Sequence, residues 1–327
     1  MTPAADATRA DEATRSADAT QADATRAGDP TRISTDPRIS AATTVVGVIG
    51  DPVLHSLSPL LHNTAFAEMG LDWVSLGFPV PAGQAEAALA GMRALGIAGL
   101  SVTMPHKEAV AGLVDRTTPV ATRLAAVNCV TAASGTRQLE GSNTDGEGFV
   151  AALRHGDRFE PRDRRCLVVG AGGAARAVVL ALAEAGAAEV IVVNRTQSRA
   201  VVAAALAGAA GRVGRPEEVS TADLVVNATP AGMPQAVTPL QADTGGPAGA
   251  RFPLDPLLLV AGQVVVDLVY HPASTPWLLA ARDRGAITHN GLGMLVHQAA
   301  AQLRTWTGDD PPVTAMWRAA TAALSAR

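Results

Sequence analysis

The chain contains 25 arginines but one lysine, Lys107. This lysine lies within the segment Ser-Val-Thr-Met-Pro-His-Lys-Glu at residues 101–108. Arginine can replace lysine wherever only a positive charge is needed. A guanidinium cannot give up a proton or act as a compact donor of three hydrogen bonds. A single retained lysine therefore indicates chemistry that needs an amine, and Lys107 is a candidate catalytic residue. The alternative is a lysine that has survived on a solvated helix face.

A glycine-rich turn follows an apolar strand in the second half of the chain. Residues 166–176 read Cys-Leu-Val-Val-Gly-Ala-Gly-Gly-Ala-Ala-Arg, a pattern of strand, turn and helix start. Gly170, Gly172 and Gly173 let backbone amides approach a pyrophosphate at a helix N-terminus, where the helix dipole favours negative charge. A second strand follows at the spacing of a dinucleotide-binding unit. The pattern predicts such a site, and the alternative is a tight turn without a ligand.

The end of that second strand indicates which dinucleotide binds. A site that prefers NAD places Asp or Glu there to bind the ribose 2′-hydroxyl. This chain has Asn194, Arg195 and Arg199 instead. Two guanidiniums four residues apart at a helix start can face one 2′-phosphate. The sequence therefore predicts NADP rather than NAD, with a merely solvated Arg199 as the alternative.

Four polar clusters lie in the first half of the chain, each where a predicted strand meets a loop or a helix. They occupy residues 50–63, 102–107, 126–129 and 141–146. Open α/β sheets bind ligands at that edge. Hydroxyl, amide, amine and carboxylate groups that converge there suit a small polyhydroxylated acid better than an apolar ligand. No His, Cys and carboxylate set has the spacing of metal ligands, so no metal site is predicted.

Strand-like and helix-like segments that alternate from residue 44 onward must position these clusters. Such alternation argues for parallel βαβ units. The predicted fold class is α/β, with a substrate-binding catalytic domain at residues 44–155 that has a mainly parallel sheet. The C-terminal helices within residues 291–327 complete that domain. A Rossmann-type NADP-binding domain follows at residues 156–290, with a cleft between the two domains and a Gly/Pro-rich connection at residues 234–255.

Composition limits the remaining possibilities. Residues 1–43 repeat Ala-Asp-Ala-Thr-Arg-like blocks and lack aromatic residues, which predicts a disordered, low-complexity extension. A formal net charge of −4 gives no attraction to nucleic acid or to an anionic membrane. No apolar run approaches the roughly 20 residues of a membrane span. Cys129 and Cys166 lie in apolar runs and are expected to be reduced thiols of a cytoplasmic protein, either a monomer or a homodimer.

Taken in order, these motifs closely resemble those of the shikimate dehydrogenase family, over about residues 45–325. The polar clusters of the first half carry part of the resemblance. The second half adds further motifs in the family's order, namely Gly170–Ala174, Asn194–Arg199, Asn227–Met233, Asp267–Tyr270 and Gly291–Gln298.

The resemblance implies a reversible, NADP-dependent reduction of 3-dehydroshikimate to shikimate, in the pathway to chorismate and the aromatic amino acids. Lys107 and Asp145 would flank the reacting hydroxyl and carry its proton, and either could be the base. The substrate-binding residues that it implies are Ser56 and Ser58 for the carboxylate, Thr103, Asn128 and Gln298 for the ring hydroxyls, and Tyr270 on the substrate side of the cleft.

The resemblance also implies a set of cofactor-binding residues, of which the last three would approach the nicotinamide. They are Gly170, Ala171, Gly172, Gly173, Ala174, Asn194, Arg195, Thr196, Arg199, Met233, Leu268 and Gly291. Two alternatives stay open. One is a quinate or dual quinate/shikimate dehydrogenase, against which the serine pair and the two arginines argue. The other is a catalytically silent nucleotide-binding protein, against which the Lys107 and Asp145 pair argues.

Overall fold

The structure is a computed structural model. Most of the predicted extension at residues 1–43, and most of the predicted connection at residues 234–255, lie outside the residues that it describes. The described residues are 39–133, 135–156, 158–233 and 254–325.

Two sheets organise the described part of the chain. The strands of the first sheet are β1 (Thr44–Gly50), β2 (Trp73–Pro79), β3 (Gly99–Val102), β4 (Arg116–Thr117), β5 (Cys129–Ala132) and β6 (Leu139–Ser142). Their order across the sheet is β2-β1-β3-β5-β6-β4. β1 runs parallel to β2 and β3, and β4 runs parallel to β6. β5 runs antiparallel to both β3 and β6.

The antiparallel strand β5 departs from the parallel units predicted for this region. The antiparallel direction of β5 relative to β6 results from the short connection between these two strands. This connection turns at Gly135, which has a φ of 70°. Ala133 N donates to Gln138 O at 2.9 Å across that turn. A connection this short can only make a hairpin, because a parallel crossover needs a dozen or more residues.

Five helices accompany the first sheet among the described residues. They are α1 (Ser58–Glu68), α2 (Ala85–Leu95), α3 (Lys107–Ala111), α4 (Pro119–Leu124) and α5 (Asp145–Gly156). Gly96 follows the last residue of α2 and caps the helix. Its φ of 69° is the left-handed conformation that glycine adopts at low cost after a helix. α4 begins at Pro119. Thr118, the residue before it, caps the helix, because its side chain accepts a hydrogen bond from Ala121 N at 3.4 Å.

The second sheet is parallel throughout the described residues. Its strands are β7 (Arg165–Val169), β8 (Glu189–Val193), β9 (Gly211–Val213), β10 (Leu224–Asn227), β11 (Val264–Asp267) and β12 (Ile287–His289). Their order is β12-β11-β10-β7-β8-β9, the strand order of a dinucleotide-binding Rossmann fold. Valine-rich strands such as β8 and β11 suit a sheet that is buried on both faces. The predicted fold class is confirmed.

The remaining described α-helices are α6 (Gly173–Glu184), α7 (Gln197–Ala205), α8 (Pro276–Asp283), α9 (Leu292–Thr307) and α10 (Val313–Ser325). Three short 3-10 helices also occur in the described part of the chain, at Gly208–Ala210, Pro216–Thr221 and Pro256–Leu258. α9 and α10 follow the second sheet in the chain but pack beside the first. Val296 and Met316 share one buried apolar cluster with Val46 of β1 and Phe66 of α1. The domain limits given above stay a prediction. None of the described helices is long and apolar enough to cross a membrane.

Candidate active site

Lys107 and Asp145 form an ion pair at the edge of the first sheet. Lys107 is the first residue of α3 and Asp145 the first residue of α5. Lys107 Nζ lies 2.5 Å from Asp145 Oδ2, and the two side chains are 20% and 6% exposed. The helix N-terminus at Asp145 favours a negative charge there. The structure thus brings together two residues that the sequence separates, with the Lys107 side chain still partly exposed.

Asn128 orients the carboxylate of this pair. Its Nδ2 atom donates to Asp145 Oδ1 at 2.7 Å and to Thr144 Oγ1 at 3.0 Å. Its Oδ1 atom accepts from Thr144 N at 2.8 Å. One oxygen of Asp145 therefore faces Asn128 while the other faces Lys107. The sequence did not assign Thr144 a role, although it lies in the fourth polar cluster.

The antiparallel strand β5 is what places Asn128 beside the pair. Asn128 directly precedes β5, and Val102 N at the end of β3 donates to Asn128 O at 2.8 Å. Because β5 is antiparallel to β3 and β6, its start meets the end of both neighbours, and Cys129 pairs with Ser142. Chain segments that would lie at opposite edges of a wholly parallel sheet share one edge here.

Thr103 reaches the same edge from the end of β3. Thr103 N donates to Ile49 O at 3.0 Å, and His106 N donates to Thr103 O at 3.0 Å, so the turn before Lys107 is fixed at both sides. A Cβ on Gly50 would lie 2.3 Å from the Thr103 side chain. Glycine at the end of β1 therefore allows this close approach.

The serine pair lies in the loop between β1 and α1. Ser58 followed by Pro59 is a pattern typical of a helix cap, but the helix begins at Ser58 itself and no side chain caps it. Ser56 Oγ instead accepts from Ser58 N at 3.2 Å. Ser58 is buried and Ser56 is half-buried. The helix start consequently does not use the Ser58 hydroxyl.

Gln298 and Tyr270 approach from the C-terminal half. Gln298 lies on α9, is buried, and donates from Nε2 to Leu295 O at 2.9 Å. Thr144 Oγ1 donates to Gln298 O at 3.1 Å, which ties α9 to the start of α5. Tyr270 is half-buried against the apolar cluster that α1, α9 and α10 share.

The glycine turn between β7 and α6 has room for a phosphate group. Gly170 has a φ of 116°, and its N–H donates to Val193 O at 2.8 Å. A Cβ there would lie 2.9 Å from Ala228 O, so glycine is needed. Gly172 caps α6, and Cβ atoms at Gly172 and Gly173 would meet nothing within 4 Å. Space of this kind before a helix N-terminus fits a dinucleotide pyrophosphate, and the flanking Ala171 and Ala174 are half-buried.

The segment after β8 differs slightly from the predicted helix start. α7 begins at Gln197, so Arg195 lies before the helix and Arg199 in its first turn. Asn194 Nδ2 donates to Thr196 O at 3.0 Å and closes the turn between them. Both arginines are exposed, and they follow β8, the strand that pairs with β7 before the glycine turn.

Leu268 and Gly291 lie side by side at the carboxyl end of β11. A Cβ on Gly291 would fall 2.0 Å from Leu268 O, so only glycine allows this approach. Gly291 N donates to Val269 O at 3.2 Å. Met233 is 39% exposed at the limit of the described segment. The structure thus brings two of the three proposed nicotinamide contacts together.

A buried polar network that the sequence did not reveal fixes this region. Asp267 Oδ1 accepts from Asn227 Nδ2 at 2.9 Å, and Asp267 Oδ2 accepts from Thr275 Oγ1 at 2.7 Å. Burial raises the pKa of the Asp267 carboxyl, and these hydrogen bonds oppose that rise. Asn227 is the last residue of β10 and Asp267 is the last residue of β11, so the network joins the ends of these two strands.

Two buried thiols and one buried imidazole are unsuited to catalysis. Cys129 and Cys166 are free and buried, and burial raises the pKa of each thiol to about 12, so neither is a thiolate at neutral pH. His62 is buried and its Nδ1 atom lies 2.9 Å from Ser75 Oγ on β2. Among the described residues, no group of His, Cys, Asp and Glu converges as metal ligands would.

The two sheets, the glycine turn and the Lys107–Asp145 pair define a dinucleotide-dependent α/β oxidoreductase. Comparison with known families narrows that class. "Shikimate dehydrogenase substrate binding domain" matches residues 48–130, "Shikimate / quinate 5-dehydrogenase" matches residues 154–236, and "Shikimate 5'-dehydrogenase C-terminal domain" matches residues 291–321.

Individual relatives agree with these matches. Shikimate dehydrogenase (NADP(+)) of Moorella thermoacetica is 44% identical over 296 residues, which cover 88% of this chain and 95% of that protein. The crystal structure of shikimate 5-dehydrogenase from Thermus thermophilus with NADP(H) and shikimate superposes with a TM-score of 0.76 at 37% identity, covering 86% of this chain and 100% of that one. Quinate dehydrogenase from Corynebacterium glutamicum with NAD gives a TM-score of 0.76 at 31% identity, covering 86% and 99%. The chain belongs to the shikimate dehydrogenase family.

Proposed function

We propose that this chain catalyses the reversible, NADP-dependent reduction of 3-dehydroshikimate to shikimate, which leads to chorismate and the aromatic amino acids. The observation that carries the proposal is the 2.5 Å contact between Lys107 Nζ and Asp145 Oδ2. It provides a proton-transfer pair at the sheet edge where polar groups converge. Family membership supports the reaction class, because curated relatives such as that of Moorella thermoacetica are named NADP-dependent shikimate dehydrogenases.

The chain's own residues have two tasks in this reaction. Oxidation of a secondary alcohol removes a hydride and a proton, and NADP supplies the hydride acceptor when bound. The protein must orient the hydroxyl and accept its proton. Because Lys107 and Asp145 share a short hydrogen bond, a proton taken by one can be shared with the other. The pair acts as one proton acceptor in the oxidation and as one donor in the reduction.

Substrate binding involves the polar groups around that pair. Ser56 and Ser58 bind the carboxylate in this proposal, and the Ser58 hydroxyl, which does not cap the helix, supports its assignment. Thr103, directly after β3, Asn128, directly before β5, and Gln298, within α9, bind ring hydroxyls. Tyr270 completes the substrate side.

Asn128 has a second task, since its amide hydrogens are already directed at Asp145 and Thr144. A hydroxyl bound by Asn128 must therefore share or replace one of these bonds. Binding of the substrate and orientation of the Asp145 carboxylate are coupled in consequence.

NADP lies along the turn from Gly170 to Ala174 in this proposal. Asn194, Arg195, Thr196 and Arg199 form the 2′-phosphate end, while Met233, Leu268 and Gly291 approach the nicotinamide. Support comes from the open space above the turn and from the exposure of both arginines. We further propose that the enzyme works in the cytoplasm as a monomer or homodimer.

A spectrophotometric assay of the purified chain tests the proposal. Shikimate and quinate are each offered with NADP and with NAD, and reduced nicotinamide is followed by its absorbance. The expected result is fast turnover for shikimate with NADP and slow turnover for the other three pairs. Faster turnover of quinate would assign a broader quinate/shikimate enzyme. Absence of turnover with every pair, in protein that binds NADP, would indicate a silent nucleotide-binding protein.

A further inference from the structure

Gln302 lies one turn beyond Gln298 on α9, and the two side-chain amides meet. Residues four apart share one face of a helix. Gln302 Nε2 donates to Gln298 Oε1 at 2.9 Å. Gln302 is 0% exposed whereas Gln298 is 7% exposed. Gln302 is therefore the more deeply buried of the two, and a bound substrate would contact Gln298 rather than Gln302.

A backbone carbonyl fixes which way the Gln302 amide faces. Gln302 Nε2 also donates to Asn128 O at 3.1 Å. A backbone carbonyl can only accept a hydrogen bond, so the NH₂ group of Gln302 must face Asn128. The rotated amide would bring its oxygen against the oxygen of Asn128. Both hydrogens of Gln302 Nε2 are thus directed, one at Asn128 and the other at Gln298.

The orientation passes from Gln302 to Gln298. Because Gln302 presents a donor, Gln298 must present its oxygen in return. Gln298 Nε2 then faces Leu295 O, another group that can only accept, at 2.9 Å. One hydrogen of that NH₂ group is left to point elsewhere, since a primary amide nitrogen carries two.

His62 supports the same orientation from the far side of Gln302. His62 Nδ1 lies 2.9 Å from Ser75 Oγ, so a neutral imidazole that accepts there carries its hydrogen on Nε2. The Gln302 side chain interacts with this imidazole, although Nε2 and Gln302 Oε1 do not meet hydrogen-bond geometry. A donor on His62 favours the Gln302 oxygen on its side and the NH₂ group toward Gln298.

We propose that Gln302 is a positioning residue that fixes the Gln298 amide, so that Gln298 meets the substrate only as a hydrogen-bond donor. The inference rests on the proposed function and deepens it. A substrate hydroxyl facing Gln298 accepts from Nε2 and gives its own proton to another partner. The NH₂ group of Gln302 ties Gln298 to the backbone of Asn128, whose side chain orients Asp145.

The first test replaces Gln302 by methionine, which is similar in volume but cannot donate. In Gln302→Met, the Gln298 amide loses the donor to its oxygen, so the bond from Nε2 to Leu295 O is the one that still orients it. The KM for shikimate should rise about tenfold, as expected for loss of one organised hydrogen bond. The kcat should change less than threefold and the KM for NADP should not change.

Gln263 offers a matched control in the second sheet. It is buried, and its Nε2 atom donates to Val219 O at 2.6 Å and to Ala222 O at 2.8 Å. Gln263→Met removes the same number of buried donors away from the site. It should lower the melting temperature by a similar amount and leave both KM values unchanged. An equal rise in the KM for shikimate in both variants would overturn the inference.

A double-mutant cycle tests whether Gln302 acts through Gln298. In a Gln298→Ala background, Gln302→Met should add less than twofold to the KM for shikimate, because no amide is left to orient. A full tenfold addition would mean that Gln302 acts by another route and would refute the proposal. If Gln302→Met does not fold, Gln302→Leu replaces it in the cycle, and the same two outcomes support or refute the proposal.

The two proposals fail in different ways. If the unmodified chain does not oxidise shikimate with NADP, the proposed function is wrong. If it does, while Gln302→Met and Gln302→Leu keep the unmodified KM for shikimate, only the positioning role of Gln302 is wrong.

Discussion

Asn128 Nδ2 lies 2.7 Å from Asp145 Oδ1, so an amide at the start of β5 directs the carboxylate that Lys107 holds from its other oxygen. Asn128 is 1% exposed. A buried amide that is packed on all sides gives the carboxylate one orientation. The proposed catalytic pair therefore depends on a neighbour to which no proton transfer is assigned.

Lys107→Arg keeps the positive charge but removes the amine. We expect kcat to fall about 100-fold or more, the size of effect seen when a general acid–base group is lost. Folding should be retained, since Lys107 is still partly exposed. Arg93→Lys, at the exposed ion pair with Asp115, is the control and should leave kcat unchanged. A Lys107→Arg enzyme with normal kcat would exclude Lys107 from proton transfer.

Asn128→Ala leaves Asp145 Oδ1 without its partner. We expect a loss of unfolding free energy of roughly 1–3 kcal/mol, typical of an unpaired buried polar group, and a fall in kcat of at least tenfold. Asn63→Ala is the matched control, because Asn63 bonds both backbone groups of Ser75 through its amide. That variant should lose similar stability and keep its kcat. Equal kcat values in the two variants would show that Asn128 is only structural.

Replacing Arg195 and Arg199 together by alanine should change cofactor preference. The KM for NADP should rise much more than the KM for NAD, since only NADP carries the 2′-phosphate. Arg282→Ala, which removes an exposed guanidinium near Thr288 in the same sheet, serves as the control for loss of charge. Equal increases in the KM for NADP and in the KM for NAD would show that Arg195 and Arg199 do not bind the 2′-phosphate.

His62 makes stability depend on pH. Burial lowers its pKa to about 3, and the Gln302 side chain acts in the opposite direction. An unfolded imidazole binds its proton below about pH 6.5, so the unfolded state binds more protons between these two values. Stability is therefore complete above pH 6.5 and falls as the pH drops, by up to about 1.4 kcal/mol per pH unit.

Urea unfolding from pH 4 to pH 7 measures this contribution. The slope of unfolding free energy against pH should be smaller in His62→Gln than in the unmodified chain, because the variant has no imidazole to protonate. Identical slopes in the two proteins would mean that His62 is accessible to protons in the folded state.

The sequence by itself determined the parts of this protein that depend on local chemistry. The turn from Gly170 to Ala174 was predictable because glycines follow an apolar strand and because phosphate binding needs a strand and a helix in direct succession, and the structure shows that glycine is required at Gly170. Lys107 was predictable because its residue type occurs once. The family motifs added the substrate residues, whose individual roles stay predictions.

Tertiary structure decided how those residues meet. The hairpin of β5 and β6 runs antiparallel, and only that reversal sets Asn128 beside Asp145 and the end of β3. Ser58 begins a helix instead of capping one. The links from Gln302 to Asn128, and from Asn227 to Asp267, join distant segments by single hydrogen bonds. Hydrophobic periodicity reports which face of an element is buried, but it carries no signal for the partner of a buried amide or carboxylate, because that partner is fixed only when the strands have packed.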